Sequence, residues 1–382
     1  MASTTDSYVL PYPSYFTRAK NGLLISALKT VITPLGWIDE ANQYFWPPEI
    51  RPDIVKTYEP RSYLPVRLFF PHSYDQTSNQ TLPLVYSIHG GGFVLGAPRD
   101  SDEWNRRFAD MHNVMVVALN YTKAPFWATF PNQGLDLEAL IHAVYDDESL
   151  PIDKNRIAIT GFSAGGNLAL SVCQLPSIRD RIKPSAVIPI YPPVDMSINV
   201  ERLARRYYKP ELGEGPRAAK TDTLASMASL FDWSYIPYGQ DLRDPLLSPV
   251  FATRAALPPY VYVVAAELDQ LAHEAWRLAF QLSGRPEPTP DNKVGQEKPA
   301  KEQGHLILDD ERFAFQHTDD RGSVQWLLVP DQIHGFDHMR ERMQGSQGFQ
   351  DALLKTVQYQ QILGEWLRDV VWKDERVVGT SS

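Results

Sequence analysis

The sequence predicts an α/β protein built on a doubly wound, mostly parallel sheet. Three observations carry this expectation. Runs rich in Val, Ile, Leu and Tyr recur at 64–70, 84–88, 114–119, 157–160, 186–191, 260–265 and 324–329. Helical patterns fill most of the gaps, at 101–112, 132–145, 164–175 and 271–282. Strands buried on both faces read as unbroken apolar runs, and their alternation with helices implies parallel strands joined by right-handed crossovers. The third observation is Gly161-Phe162-Ser163-Ala164-Gly165, which falls between a strand run and a helical run. Small flanking residues let a backbone turn sharply there, so that a serine hydroxyl projects from the end of a strand at the start of a helix.

The remaining segments fit around this frame. Phe349, Leu353, Val357, Leu363 and Leu367 form a helical stripe suited to a closing helix on the sheet. The catalytic domain is expected at 61–195 and 244–382. Residues 1–60 and 196–243 lie outside the alternation and are rich in aromatics, which suggests an N-terminal cap segment and a cap insertion forming a lid. Residues 284–304 are dominated by Pro, Glu, Lys, Asp and Gln, a composition that buries little apolar area. The chain between Asp269 and His334 far exceeds the roughly 30 residues that one helix, one strand and their loops need. A surface-loop insertion over 284–322 is therefore predicted.

Leu23, Leu24, Ala27, Leu28, Val31, Ile32 and Leu35 repeat at helical spacing, as in a helix laid over an apolar opening. The apolar stretch from Leu23 to Ile38 is interrupted by Lys29 and is read as too short to span a membrane core of about 30 Å. No integral membrane segment and no export signal are read, and cytoplasmic residence is expected. Membrane-surface attachment is the alternative, weakened by the lack of a basic cluster.

Of 382 residues, 43% are hydrophobic and the formal net charge is −9. An acidic chain without clustered Lys and Arg does not neutralise phosphates, which argues against nucleic-acid binding. The single cysteine, Cys173, excludes an intramolecular disulfide and is read as a core residue.

Acyl transfer needs a nucleophile, a base, a group that orients the base, and donors aimed at the developing oxyanion. Ser163 is the candidate nucleophile. His334, in a loop just beyond the last strand run, is the candidate base. Asp269 follows the 260–265 run at the edge of the sheet where open α/β folds bind ligands, with Glu267 as a rival carboxylate. Gly90, Gly91 and Gly92 follow the 84–88 run, where missing side chains let backbone N–H groups approach a substrate oxygen. With the Ala164 N–H they form the candidate oxyanion hole. His89, Gly90, Gly161 and Gly165 support these motifs, His89 by hydrogen-bonding its loop. Phe93, Phe162, Trp127 and Tyr191 are candidate pocket residues. No phosphate-loop pattern accompanies the glycines. His334 and His338 stand four apart, but no third ligand lies nearby, so neither metal nor cofactor is expected.

Together these residues resemble the hormone-sensitive-lipase-like branch of the α/β-hydrolase superfamily, which includes carboxylesterases and arylacetamide-deacetylase-like enzymes. The match runs from about 83 to 336. It rests on His89-Gly90-Gly91-Gly92-Phe93, Asn120-Tyr121 with Ala124-Pro125 and Phe130-Pro131, and Gly161 to Asn167. Tyr191-Pro192 with Asp195, Asp244-Pro245 with Ser248-Pro249, Leu257-Pro258-Pro259 and His334-Gly335-Phe336 extend it. The resemblance implies an α/β-hydrolase fold with a helical cap, a Ser163–His334–Asp269 triad and a small-molecule ester as substrate. The sequence departs from the family at Phe162, where Asp or Thr is usual. It departs again at Thr122 and Phe126, where the family carries Arg and Glu, and at Gln270, where it carries Pro.

The function expected is a serine carboxylesterase acting on a small hydrophobic or aromatic ester with a short acyl group. Acyl transfer or cyclisation, amide or formamide hydrolysis, and a non-catalytic small-molecule receptor are the alternatives. The sequence leaves a homodimer open.

Overall fold

A computed structural model describes residues 8–373, apart from 76, 127, 198–204, 214 and 223, with the backbone alone at 39, 40 and 44. The strands are β1 (Ile54–Lys56), β2 (Val66–Phe69), β3 (Leu82–Ile88), β4 (Met115–Leu119), β5 (Ile152–Phe162), β6 (Ala186–Ile190), β7 (Tyr260–Ala266), β8 (Ala314–Asp319) and β9 (Gly322–Val329). They form one sheet in the order β1-β2-β4-β3-β5-β6-β7-β9-β8. From β4 to β9 neighbouring strands run parallel. At the edges, β1 and β2 and then β8 run antiparallel to their neighbours.

The helices are α1 (Tyr15–Phe45), α2 (Asp102–His112), α3 (Asn132–Tyr145), α4 (Ala164–Cys173), α5 (Ala225–Tyr235), α6 (Ala272–Leu282), α7 (Glu341–Gln344) and α8 (Ser346–Trp366). Strand alternation divides the core between two faces. Leu84, Tyr86, Ile88, Ile157, Ile159, Val261 and Val263 pack under Leu140 of α3, Leu168 and Val172 of α4, and Leu278 of α6. Val85, Val116, Ala158, Ile188, Val264 and Leu327 pack under Trp104 and Phe108 of α2 and Tyr359 and Leu363 of α8. Burial on both faces explains why these strands read as continuous apolar runs. Each fully buried Val, Leu or Ile contributes about 1.5–3 kcal/mol relative to exposure.

The structure corrects four expectations. β1 lies inside the segment assigned to the N-terminal cap. It is a three-residue edge strand with its first two residues exposed, too short and too solvated to show a strand pattern. β8 lies inside the expected 284–322 surface loop. It escaped notice because an edge strand alternates polar and apolar residues, and Gln316 and Thr318 point outward. The rest of that segment is stitched to the domain: Val294 and Phe313 are buried, and the backbone N–H groups of Gln296 and Ala300 donate to Glu267 and Asp331, each at 2.8 Å.

Finally, α1 extends well beyond Leu23–Ile38, because flanking polar and aromatic residues continue its hydrogen bonding and Pro34 is tolerated within it. The span Tyr15–Gln43 is long and apolar enough, by length and composition, to cross a membrane. Among its described side chains Ile25 is fully buried, in a cluster that Leu230, Phe231 and Trp233 of α5 pack against, while Leu23, Val31, Leu35 and Trp37 stand in solvent.

Candidate active site

The parallel strands β5, β7 and β9 deliver three loops to one edge of the sheet, and each loop carries one candidate side chain. Ser163 caps β5 and opens α4 with φ 53° and ψ −121°, a conformation that L residues rarely adopt. Its neighbours make the turn fit. A Cβ on Gly161 would lie 2.1 Å from Gly165 O, and one on Gly165 would lie 2.1 Å from Ile88 O. Both contacts are with backbone, which cannot move aside. The Ser163 N–H donates to Ile190 O at 2.9 Å, and its carbonyl accepts the Gly166 and Asn167 N–H groups.

His334 joins the other two residues. Its Nε2 lies 2.8 Å from Ser163 Oγ and its Nδ1 2.7 Å from Asp269 Oδ2. The other Asp269 oxygen accepts the Leu271 N–H at 2.9 Å, which fixes the carboxylate. With Nδ1–H donating to Asp269, Nε2 faces the serine hydroxyl as an acceptor.

Glu267, the rival carboxylate, is engaged elsewhere. Lys209 Nζ donates to Glu267 Oε2 and to Asp331 Oδ1, each at 2.7 Å, with the three side chains 0–5% exposed. The Asp331 N–H also donates to Glu267 at 2.8 Å. Glu267 directly follows β7 and Asp331 lies just beyond β9, so one buried ammonium from the cap segment ties the loop of Asp269 to the loop of His334.

The cap segment reaches the same loops through other polar side chains. Arg206 donates to Leu268 O and to Ala219 O. Asp222 accepts the Gln270 N–H at 2.9 Å, and Arg217 donates to Asp351 of α8 at 2.7 Å. A segment read from its aromatics is held down by buried charge. Lys209, Arg206 and Asp222 carried no motif that would have singled them out.

Gly91 has φ 115° and Gly92 φ 60°. Among the described residues no acceptor takes the N–H groups of Gly91, Gly92 or Ala164, so all three remain available to a substrate oxygen. His89 supports the loop from below: its Nδ1 donates to Gly90 O at 2.7 Å, and its ring stacks on Tyr121 at 4.4 Å. Burial, followed by the Lys123 charge, drives the His89 pKa well below the ordinary value, keeping the imidazole neutral. Phe231 of α5 lies over Gly92, where an added Cβ would come within 2.3 Å of its ring. Phe231 was not foreseen; its signal was the aromatic content of the cap.

The expected pocket residues need correction. Phe93, Phe162 and Tyr191 are each 2–3% exposed, so they are packing groups beneath the site. Phe93 stacks on Tyr235 of α5. Phe162 meets the rings of Trp104 and His338 edge-on. Tyr191 stands edge-on to His334 at 4.9 Å and donates to Asp337 at 2.5 Å. Trp127 falls outside the described residues.

His338 Nδ1 faces Asp337 at 2.9 Å and its Nε2 faces Ser101 Oγ at 3.0 Å. Both ring nitrogens of His334 and of His338 are thus engaged by side chains. An aromatic ring stands just before Ser163, and the buried carboxylate beside it is that of Asp337, held by Tyr191, Tyr359 and His338.

Burial opposes protonation of His334, but the charge and hydrogen bond of Asp269, aided by Asp222 and Asp337, outweigh it and raise the imidazole pKa above its ordinary 6.5. Burial, then Asp269, raises the Asp222 carboxyl. The arrangement can take a proton from Ser163, hold an imidazolium beside a carboxylate, and present N–H donors to an oxyanion.

Comparison with known proteins places the chain in a family. A family model for the α/β hydrolase fold matches residues 84–290, more than half of the chain. An ethyl acetate hydrolase from Pseudomonas putida is 31% identical over 240 residues, 62% of this chain and 70% of that protein. An arylesterase from Saccharolobus solfataricus is 30% identical over 230 residues, 59% of this chain and 69% of that one. The fold is that of an esterase from Pyrobaculum calidifontis, with a TM-score of 0.60 at 23% identity over 94% of this chain and 98% of the other. The chain belongs to the α/β-hydrolase family, in its hormone-sensitive-lipase-like branch. It is a carboxylic ester hydrolase, and the receptor alternative falls with that assignment.

A protonated imidazole cannot accept the serine proton, so kcat/KM should be lost as pH falls, through a midpoint above 6.5. Asp222→Asn removes one charge that holds the proton on His334. The acidic limb of the profile should then move to lower pH, and a limb that stays in place or moves up contradicts the electrostatic account.

Proposed function

We propose that Ser163 is the nucleophile, His334 the general base and acid, and Asp269 the group that orients the imidazole, in hydrolysis of a small hydrophobic or aromatic ester with a short acyl group. Ser163 Oγ attacks the ester carbonyl while its proton passes to His334 Nε2. The carbonyl oxygen gathers negative charge and is met by the N–H groups of Gly91, Gly92 and Ala164. Removing one such donor typically costs about 3 kcal/mol of transition-state stabilisation. As the tetrahedral adduct collapses, the C–O bond to the alcohol breaks and His334 returns the proton to the leaving oxygen. Water, deprotonated by His334, then releases the acyl group as a carboxylic acid and restores Ser163.

The observation that carries this reading is the pair of hydrogen bonds from one imidazole to Ser163 and to Asp269. The short acyl group is inferred from the ring of Phe231 against Gly92, which narrows the space beside the donors, and from the acetyl ester in the name of the Pseudomonas relative. Cytoplasmic residence belongs to the same proposal, and cell fractionation tests it against the exposed apolar face of α1.

A fluorophosphonate probe should label one peptide, that of Ser163, and Ser163→Ala should abolish labelling and lower turnover at least about a thousandfold while the fold survives. Full activity in that variant rejects the nucleophile. Across p-nitrophenyl esters from C2 to C12, kcat/KM should fall with chain length, and a preference for the longest chains rejects the short acyl group. Adding a competing alcohol separates hydrolysis from acyl transfer: the free acid should remain the main product.

A further inference from the structure

A cavity of about 1090 Å³ lies between α1 and the loops that follow β3 and β4. Its walls include Val94 to Ala97, just beyond the oxyanion glycines, but neither Ser163 nor His334. Its charge is unlike that of the whole chain. In a protein of net charge −9, the lining carries Lys29, Arg61, Arg99, Lys123 and Arg340 against Asp100 and Asp136. Both carboxylates are already engaged. Asp136 takes Arg61 and the Thr122 N–H, and Asp100 takes the Ala97 N–H at 2.8 Å.

The two lysines have no carboxylate within ion-pair distance among the described residues. Lys123 Nζ donates to Asn120 Oδ1 at 2.9 Å and to Tyr121 O, and sits 4.0 Å above the Tyr121 ring. Lys29 Nζ, from α1, donates to the backbone carbonyls of Ala124 and Lys123. An ammonium has three N–H donors, so each keeps one beyond these neutral partners. Burial drives the Lys123 pKa down to about 7, with Asp100 and Asp136 opposing the fall and Lys29 adding to it. The two amines thus converge on the same short stretch, residues 120–124, and withdrawing charge from water without an opposite partner is costly. Ile32, Leu35, Trp37, Leu64 and Leu95 give the lining an apolar part.

We propose that this cavity binds an organic anion, its carboxylate or phosphate head between Lys29 and Lys123 and its apolar body along the α1 wall. The volume suits a ligand of drug size or slightly larger, since pockets for such molecules run about 300–1,000 Å³. The site is separate from the candidate active site and does not depend on the roles assigned there.

The test is calorimetric titration of the full chain with 4-phenylbutyrate and with its neutral counterpart 4-phenylbutan-1-ol. The acid should bind at least tenfold more tightly than the alcohol. Lys29→Gln with Lys123→Gln should weaken the acid at least tenfold and leave the alcohol unchanged, with folding checked by circular dichroism. Arg340→Gln provides a second variant, at a side chain with no hydrogen bond or ion pair among the described residues, and it should weaken the acid severalfold. Equal binding of acid and alcohol, binding of the acid that survives loss of both lysines, or no binding at millimolar concentration each overturns the proposal.

Discussion

Ser163 stands above the sheet because Gly161 and Gly165 have no side chains where the backbone of β3 and the first turn of α4 need the space. A methyl group at either position would sit 2.1 Å from a carbonyl oxygen, well inside van der Waals contact. The serine accepts an unfavourable backbone geometry, of order 1–3 kcal/mol for such conformations, and the packed sheet beneath it sustains that cost. What the strain secures is direction. The hydroxyl points at His334 rather than into α4, and the Ala164 N–H at the helix start is left free beside Gly91 and Gly92.

The second constraint is that Asp269 and His334 come from separate loops, which leave the paired strands β7 and β9 and stay joined where the Leu268 N–H donates to Gln332 O at 2.8 Å. The Lys209 ammonium, held between Glu267 and Asp331, ties the same two loops a second time. A buried ion pair is weak evidence for net stability, but breaking one strands an uncompensated charge at a cost of about 3–5 kcal/mol. The arrangement therefore resists partial change. It also makes the segment between β6 and β7 a structural part of the site: Lys209, Arg206 and Asp222 all belong to it, and each binds a group within a few residues of Asp269 or Asp331. Asp222 goes further, adding to the negative potential at His334.

Much of this was legible in the sequence. The central strands, buried on both faces, announced themselves as apolar runs, and α3 begins and ends where its periodicity does. Ser163, Asp269 and His334 could be singled out because each sits just past a strand run in an order suited to acyl transfer. β1 and β8 were missed because edge strands have one solvated face and no apolar run. The segment after α6 looked unstructured by composition, since it is held by backbone N–H groups donating to Glu267 and Asp331, and such bonds leave no trace in side-chain chemistry. Phe93, Phe162 and Tyr191 were placed in the pocket on aromatic character alone. Their burial beneath it follows from which way each backbone turns, and Phe93 and Tyr191 have positive φ where a pattern argument assumes ordinary angles.

The most direct test of the account is a crystal structure of the protein with a phosphonate ester bonded covalently to Ser163. The account predicts the phosphonyl oxygen within about 3.1 Å of the Gly91, Gly92 and Ala164 nitrogens, with His334 still bridging Ser163 and Asp269 and the serine φ still positive. A phosphonyl oxygen facing away from those nitrogens, or an adduct on another side chain, would contradict it.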